Sequence, residues 1–149
     1  MEIKSYIKEV PDFPKKGINY KDIQPLLADE HAFFDALYDL GELVDIEKID
    51  YFVGIESRGF IFASALAAMN MKGFKMVRKA GKLPSEDLIS MEYGLEYGRD
   101  TLEMQKGSGN VVIVDDVFAT GGTMKAARLI CDLAGYNVVD TISLIDIGL

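Results

Sequence analysis

Val111-Val112-Ile113-Val114-Asp115-Asp116-Val117-Phe118-Ala119-Thr120-Gly121-Gly122-Thr123 is the stretch that decides the fold. A β-branched run ends in two acids, and small residues then open a helical pattern over 122–134, with Gly135 placed as its C′ glycine. Four consecutive apolar residues leave no polar face, so the strand is read as buried on both sides, as strands of parallel sheets are. In open α/β sheets ligands bind beyond the carboxyl ends of the strands. The two acids and the glycine bend fall at that place.

Working outward, Tyr51-Phe52-Val53-Gly54-Ile55 and Phe74 to Val77 read as two more buried strands, and Val138 to Ile147 as a last one. Phe33, Leu37, Leu40 and Val44 recur at helical spacing, which predicts a helix over about 30–45 with Asp29 as N-cap. Phe60 to Met69 is alanine-rich and reads as a buried helix. Residues 79–89 read as a loop, Ile89 to Met104 as a hairpin or excursion, and Lys106 to Asn110 as a turn. Strands alternating with helices predict an α/β fold, a doubly wound and mostly parallel sheet. The whole of 1–149 is one domain: an arm over 1–30, carrying three of the four prolines, and an α/β core over 31–149.

Composition narrows the function. Hydrophobic residues make up 49% and charged residues 27% of the 149, an ordinary globular mixture. A net charge of −8 argues against non-specific nucleic-acid binding. No apolar run approaches the ~18–20 residues of a membrane span, and the N-terminus lacks a signal-peptide core. A cytoplasmic protein with no membrane or nucleic-acid partner is the expectation. One cysteine, Cys131, and one histidine, His31, leave no disulfide, no CxxC metal pattern and no His-based nucleophilic constellation. Cys131 reads as a small buried hydrophobe, His31 as a surface residue.

The strand tip has a chemistry of its own. Gly121 and Gly122 let backbone approach a ligand without a Cβ in the way. Thr120 and Thr123 add hydroxyls, and the helix N-terminus offers unpaired N–H groups that suit a phosphate. Carboxylates do not bind phosphate, so Asp115 and Asp116 face something else: ribose hydroxyls, or Mg2+ directly or through water. The plain alternative is an acidic strand end and a glycine turn with no ligand. The segment lacks the G-x-G-x-x-G of a dinucleotide fold and the lysine of a Walker A loop.

This segment resembles the 5-phosphoribosyl-1-pyrophosphate (PRPP) signature of type I phosphoribosyltransferases at nearly every position. The resemblance implies that Asp115 and Asp116 hold the ribose hydroxyls and that Ala119, Thr120, Gly121, Gly122 and Thr123 cradle the 5′-phosphate. Three further stretches look like those of adenine phosphoribosyltransferases. Val10 to Ile18, followed by Asp22-Ile23 and Pro25-Leu26-Leu27, looks like their arm. Gly54-Ile55-Glu56-Ser57-Arg58-Gly59-Phe60 looks like their pyrophosphate loop. Arg78-Lys79-Ala80-Gly81-Lys82-Leu83-Pro84 and Leu95-Glu96-Tyr97-Gly98 look like the halves of a flexible catalytic loop over about 79–100.

From that likeness, Glu56, Ser57, Arg58, Arg78, Lys79 and Lys82 are expected to bind pyrophosphate, with a cis peptide just before Ser57. Glu96, Arg58 and Lys82 are the expected catalytic groups, Glu96 exchanging a proton with the base, and Tyr97 is expected to order the closed loop. Read without the family, Glu96 is a solvent-facing hairpin carboxylate, Arg58 a surface residue at a helix cap, and the 78–82 cations a solvated cluster. Ile18, Asn19, Tyr20 and Lys21 are expected to meet adenine, largely through backbone groups. Asn19 and Lys21 stand where an apolar residue and arginine are usual, and the family continues past the last strand with an aliphatic wall over the base. The implied reaction joins adenine and PRPP to give AMP and pyrophosphate, with Mg2+ on the pyrophosphate and a homodimer as the working unit. Another purine base, or a PRPP- or nucleotide-sensing module without catalysis, are the alternatives.

Overall fold

The computed structural model describes residues 2–84, 86–95, 98–116 and 121–148, with backbone alone at 95, 98, 121 and 122. The arm is more regular than its prolines suggest. Strands β1 (Lys8–Val10) and β2 (Tyr20–Asp22) pair antiparallel, and the loop between them turns through a cis Phe13–Pro14 bond. Asp12 accepts the Gly17 amide at 2.7 Å, and the Phe13 amide donates to the Ile18 carbonyl at 3.0 Å, so the loop closes on itself. A short helix α1 (Gln24–Ala28) follows, seating Leu26 in the core.

Helix α2 (Glu30–Glu42) begins where expected. The Asp29 carboxylate accepts from the amides of His31 at 3.0 Å and Ala32 at 2.9 Å, which fixes the first turn. It stops three residues short of the expected 45, because Asp45 caps a new 3-10 turn over Ile46–Lys48. Strand β3 (Tyr51–Ile55) leads into α3 (Arg58–Met69), then β4 (Gly73–Lys79). Strands β5 (Leu88–Leu95) and β6 (Gly98–Gln105) form an antiparallel hairpin. Then come β7 (Gly109–Asp115), α4 (Gly121–Ala134) and β8 (Tyr136–Ser143).

The sheet order is β5-β6-β4-β3-β7-β8. The inner pairs β4·β3, β3·β7 and β7·β8 are parallel, as predicted. The hairpin is not a detached excursion: β6 joins β4 antiparallel, through Arg78↔Glu103 and Lys79↔Leu102. The last strand is shorter than the predicted 138–147. Ser143 and Asp146 form a capping box that turns the chain into a 3-10 helix over Leu144–Ile147.

Alternation along β7 sorts the core between two faces. Val112 and Val114 pack with Phe52, Ile142, Leu40 of α2 and Phe62 and Leu66 of α3. Val111 and Ile113 pack with Val53, Val77, Leu102, Met104 and the Ala127, Ile130 and Cys131 face of α4. Helices therefore cover both faces of the sheet. Gly135 ends α4 at φ 108°, the left-handed C′ position foreseen for it. Cys131 is wholly buried 3.7 Å from the Met104 sulfur, and burial pushes its thiol up to about 12, so it packs and does not react. His31 lies on the surface.

Candidate active site

Strands β3 and β7 run side by side, so their carboxyl ends bring two loops together: Glu56-Ser57 leading into α3, and Asp115-Asp116 leading towards α4. Gly59, in the first turn of α3, makes this approach possible. A Cβ there would stand 3.0 Å from the Val114 carbonyl and 3.3 Å from Asp115 Oδ1. The Glu56–Ser57 peptide is cis, as the likeness implied.

Both acids are buried, Asp115 at 7% and Asp116 at 4% exposure. Their surroundings differ. Asp116 Oδ2 takes the Arg58 Nε at 2.6 Å. Asp115 Oδ1 accepts the Asp116 amide at 2.8 Å. Burial, aided by the neighbouring Asp116 carboxylate, pushes Asp115 up to about 7, against the pull of that amide and of Arg58. Arg58 also donates to the Lys21 carbonyl at 3.3 Å and stands 5.4 Å from the Tyr20 ring centre. It thus ties the acid pair to the arm.

A second cluster forms around Glu56, at the end of β4. Glu56 Oε1 receives Arg78 at 3.3 Å and the Lys82 ammonium, while Oε2 receives the Lys79 amide at 2.8 Å. Burial raises the Glu56 carboxyl, but the Lys82, Lys79 and Arg78 donors outweigh it and bring it down to about 2. The Lys79 ammonium points to Asp100 at 3.1 Å, which raises the lysine and lowers the acid. Glu103 accepts the Gly81 amide and the Ser90 hydroxyl, each at 2.7 Å, and these bonds hold its carboxyl below the usual range.

The structure therefore gathers Glu56, Arg78, Lys79 and Lys82, and separately Arg58, Asp115, Asp116 and the arm residues Tyr20 and Lys21. Arg58 turns to the acids and the arm. Ser57 precedes α3 without a side-chain cap bond, Thr123 is a half-buried residue of the first turn of α4, and Gly121 and Gly122 open that helix. Ile18 and Asn19 lie exposed on the arm. Ala119, Thr120, Glu96 and Tyr97 lie outside the described residues. Sequence reading missed Asp100 and Glu103. Glu103 stands opposite Ser90 across the hairpin, and the weak alternation of 89–104 was the one signal of that pairing.

The phosphoribosyl transferase domain pattern matches residues 19–146, and the chain belongs to that family. The adenine phosphoribosyltransferase of Hydrogenovibrio crunogenus is 56% identical over 144 residues, spanning 95% of this chain and 83% of the relative. The crystal structure of the Thermoanaerobacter pseudethanolicus adenine phosphoribosyltransferase is 45% identical, with TM-score 0.87 over 95% of this chain and 84% of that one. The Giardia lamblia enzyme complexed with 9-deazaadenine is 36% identical, with TM-score 0.85 over 95% of this chain and 82% of that one.

Proposed function

We propose that the chain transfers the 5-phosphoribosyl group of PRPP to adenine, giving AMP and pyrophosphate in purine salvage. The observation that carries the reading is the meeting of two loops at the ends of β3 and β7, one bearing the paired acids Asp115 and Asp116, the other rimmed by Arg78 and Lys82. The kinship with adenine phosphoribosyltransferases supplies the base.

In the reaction the anomeric carbon loses its bond to pyrophosphate and gains one to a ring nitrogen of adenine, which sheds a proton. Asp115 and Asp116 accept the ribose hydroxyls. The amides opening α4 receive the 5′-phosphate, with Thr120 and Thr123 beside them. Arg78, Lys82 and the backbone at 56–58 take the departing pyrophosphate, whose growing charge they stabilise. Glu96 holds the proton exchanged with the base, and Tyr97 orders the loop around it. Tyr20, Lys21, Ile18 and Asn19 border the base, with Arg58 fixing the Lys21 carbonyl.

Among the described residues no three His, Cys, Asp or Glu side chains gather as a metal cage. Two adjacent carboxylates are hard oxygen donors, which fits a Mg2+ bound mainly by substrate phosphates and water, with Asp115 and Asp116 reached directly or through water. Held there by these residues, Mg2+ would supply charge screening for the pyrophosphoryl oxygens. The chain works as a homodimer, for which exposed Phe34, Tyr38 and Met69 offer apolar surface. Among the described residues no helix is long and apolar enough to cross a membrane. PRPP-dependent turnover measured with adenine, hypoxanthine, guanine and xanthine tests the reading. AMP from adenine alone is expected. Turnover with another base, or none with any, refutes it.

A further inference from the structure

We propose that the Glu56 carboxylate is a built-in counter-anion of the pyrophosphate subsite: it holds Lys82 and Arg78 together while the site is empty and releases Lys82 to the incoming pyrophosphoryl group. The inference rests on the phosphoribosyl-transfer reading above. It deepens that reading by giving the Glu56 side chain a role in pyrophosphate affinity and release.

Three observations carry it. First, the carboxylate lies beneath the cations it binds. The Glu56 side chain is 8% exposed, whereas Arg78 is 29% and Lys82 49% exposed. The acid is sunk into the loop and the positive heads face outward, where a dissolved anion would meet them. Second, its donors come from far along the chain, from Arg78, the Lys79 amide and Lys82. A local cap does not need a fold-spanning set of this kind. Third, the backbone around Lys82 is fixed from another side. Glu103 holds the Gly81 amide at 2.7 Å, and Glu56 holds the Lys79 amide at 2.8 Å. Lys82 is thus free to swing its flexible stem from Glu56 to a new anion while the loop root stays in place.

The charge balance gives the direction. Arg78 and Lys82 bring two positive charges against one negative charge on Glu56, so the cluster keeps an excess that attracts an anion. Pyrophosphate carries more charge than one carboxylate and displaces it from Lys82. The carboxylate left behind repels the bound anion and weakens its hold. Glu56 is accordingly a positioning residue with two effects: it orders the cations before binding, and it speeds release of the product afterwards.

The test is isothermal titration of magnesium pyrophosphate into the full chain, its Glu56→Gln and Lys82→Met variants and the double variant. Melting curves confirm that each variant folds. Glu56→Gln keeps the shape and removes the charge, and we expect it to bind pyrophosphate about tenfold more tightly, a change of roughly 1.4 kcal/mol. In the forward reaction KM for PRPP falls and kcat falls with it, because the product leaves more slowly. Lys82→Met weakens binding, and in its presence the gain from Glu56→Gln shrinks. A merely structural glutamate would instead raise KM. Wild-type binding with unchanged or weaker binding by Glu56→Gln overturns the inference alone, whereas a wild-type chain that binds no pyrophosphate overturns the functional reading with it. If Glu56→Gln does not fold, a crystal structure of the wild-type chain with magnesium pyrophosphate decides. Lys82 on the phosphate supports the exchange, and Lys82 still on Glu56 refutes it.

Discussion

Replacing Arg58 with methionine keeps the length of the side chain and removes the guanidinium that sits 2.6 Å from Asp116. Asp116 is 4% exposed and Asp115 beside it 7%, so the variant leaves two adjacent buried carboxyl groups without that positive charge. Taking one partner from a buried ion pair costs about 3–5 kcal/mol. Because the Arg58 side chain is 26% exposed, water softens the loss, and the lower end, about 3 kcal/mol, is the expectation. For a chain of this size that lowers the melting midpoint by roughly 6–12 °C. The arm loosens as well, since the bond from Arg58 to the Lys21 carbonyl and the contact with the Tyr20 ring go together. Urea unfolding measures the stability, and limited proteolysis between β1 and β2 measures the arm. Adding Asp116→Asn to Arg58→Met removes the carboxylate left behind and is expected to recover at least half of the loss. A loss under about 1 kcal/mol, the range of surface pairs, or no recovery in the double variant, refutes the account of Arg58 as the strut between acids and arm.

Asp115 gives a pH prediction. Its folded value is raised from 3.8 to about 7, so its share of stability is full below pH 3.8 and is lost as pH rises through 7. Asp115→Asn therefore stabilises the ligand-free chain at pH 8 and flattens the stability profile between pH 4 and 7, as melting curves will read. Ribose hydroxyls favour the ionised acid, so AMP binding tightens from pH 6 to 8 in the wild type by calorimetry, and this rise disappears in Asp115→Asn. Gly59→Ala places a methyl 3.0 Å from the Val114 carbonyl, and urea unfolding is expected to show a loss of about 1–3 kcal/mol together with weaker PRPP binding. Glu103→Gln weakens the anchor on Gly81, and hydrogen exchange should show that amide opening faster while the β3 amides stay protected.

The parts of this fold legible in the sequence are those set by local burial. Val111 to Val114 are all inaccessible, each facing a helix layer, so an unbroken apolar run announced the strand and its acids. Asp29 announced α2 because an N-cap acts within three residues. Where local order competed, the reading drifted. Val44 continues the helical spacing, yet Asp45 starts another turn and ends the helix first. The 89–104 segment alternated weakly because β5 is an edge strand with no fully buried residue among 88–94, while β6 inside it buries Leu102, Glu103 and Met104 in succession, a charged residue between two apolar ones.

The charge partners were the least legible part, and the reason is geometric. Arg58 and Asp116 are far apart in sequence and meet only because β3 and β7 are parallel neighbours in register, Gly54 opposite Val114. On its other side β3 lies parallel to β4, Ile55 opposite Val77, and this carries Glu56 past the end of β3 to face the end of β4, where Val77 accepts its amide and Arg78 and Lys79 reach its carboxylate. A motif reading assigns Arg58 and Lys82 alike to an anion, since both are cations near a phosphate-binding loop. Only the pairing of strands separates them, sending Arg58 to the acids and the arm, and Lys82 to a carboxylate that the anion must displace. Two cations from neighbouring motifs thus take different partners, and the sheet, more than the motif, decides which.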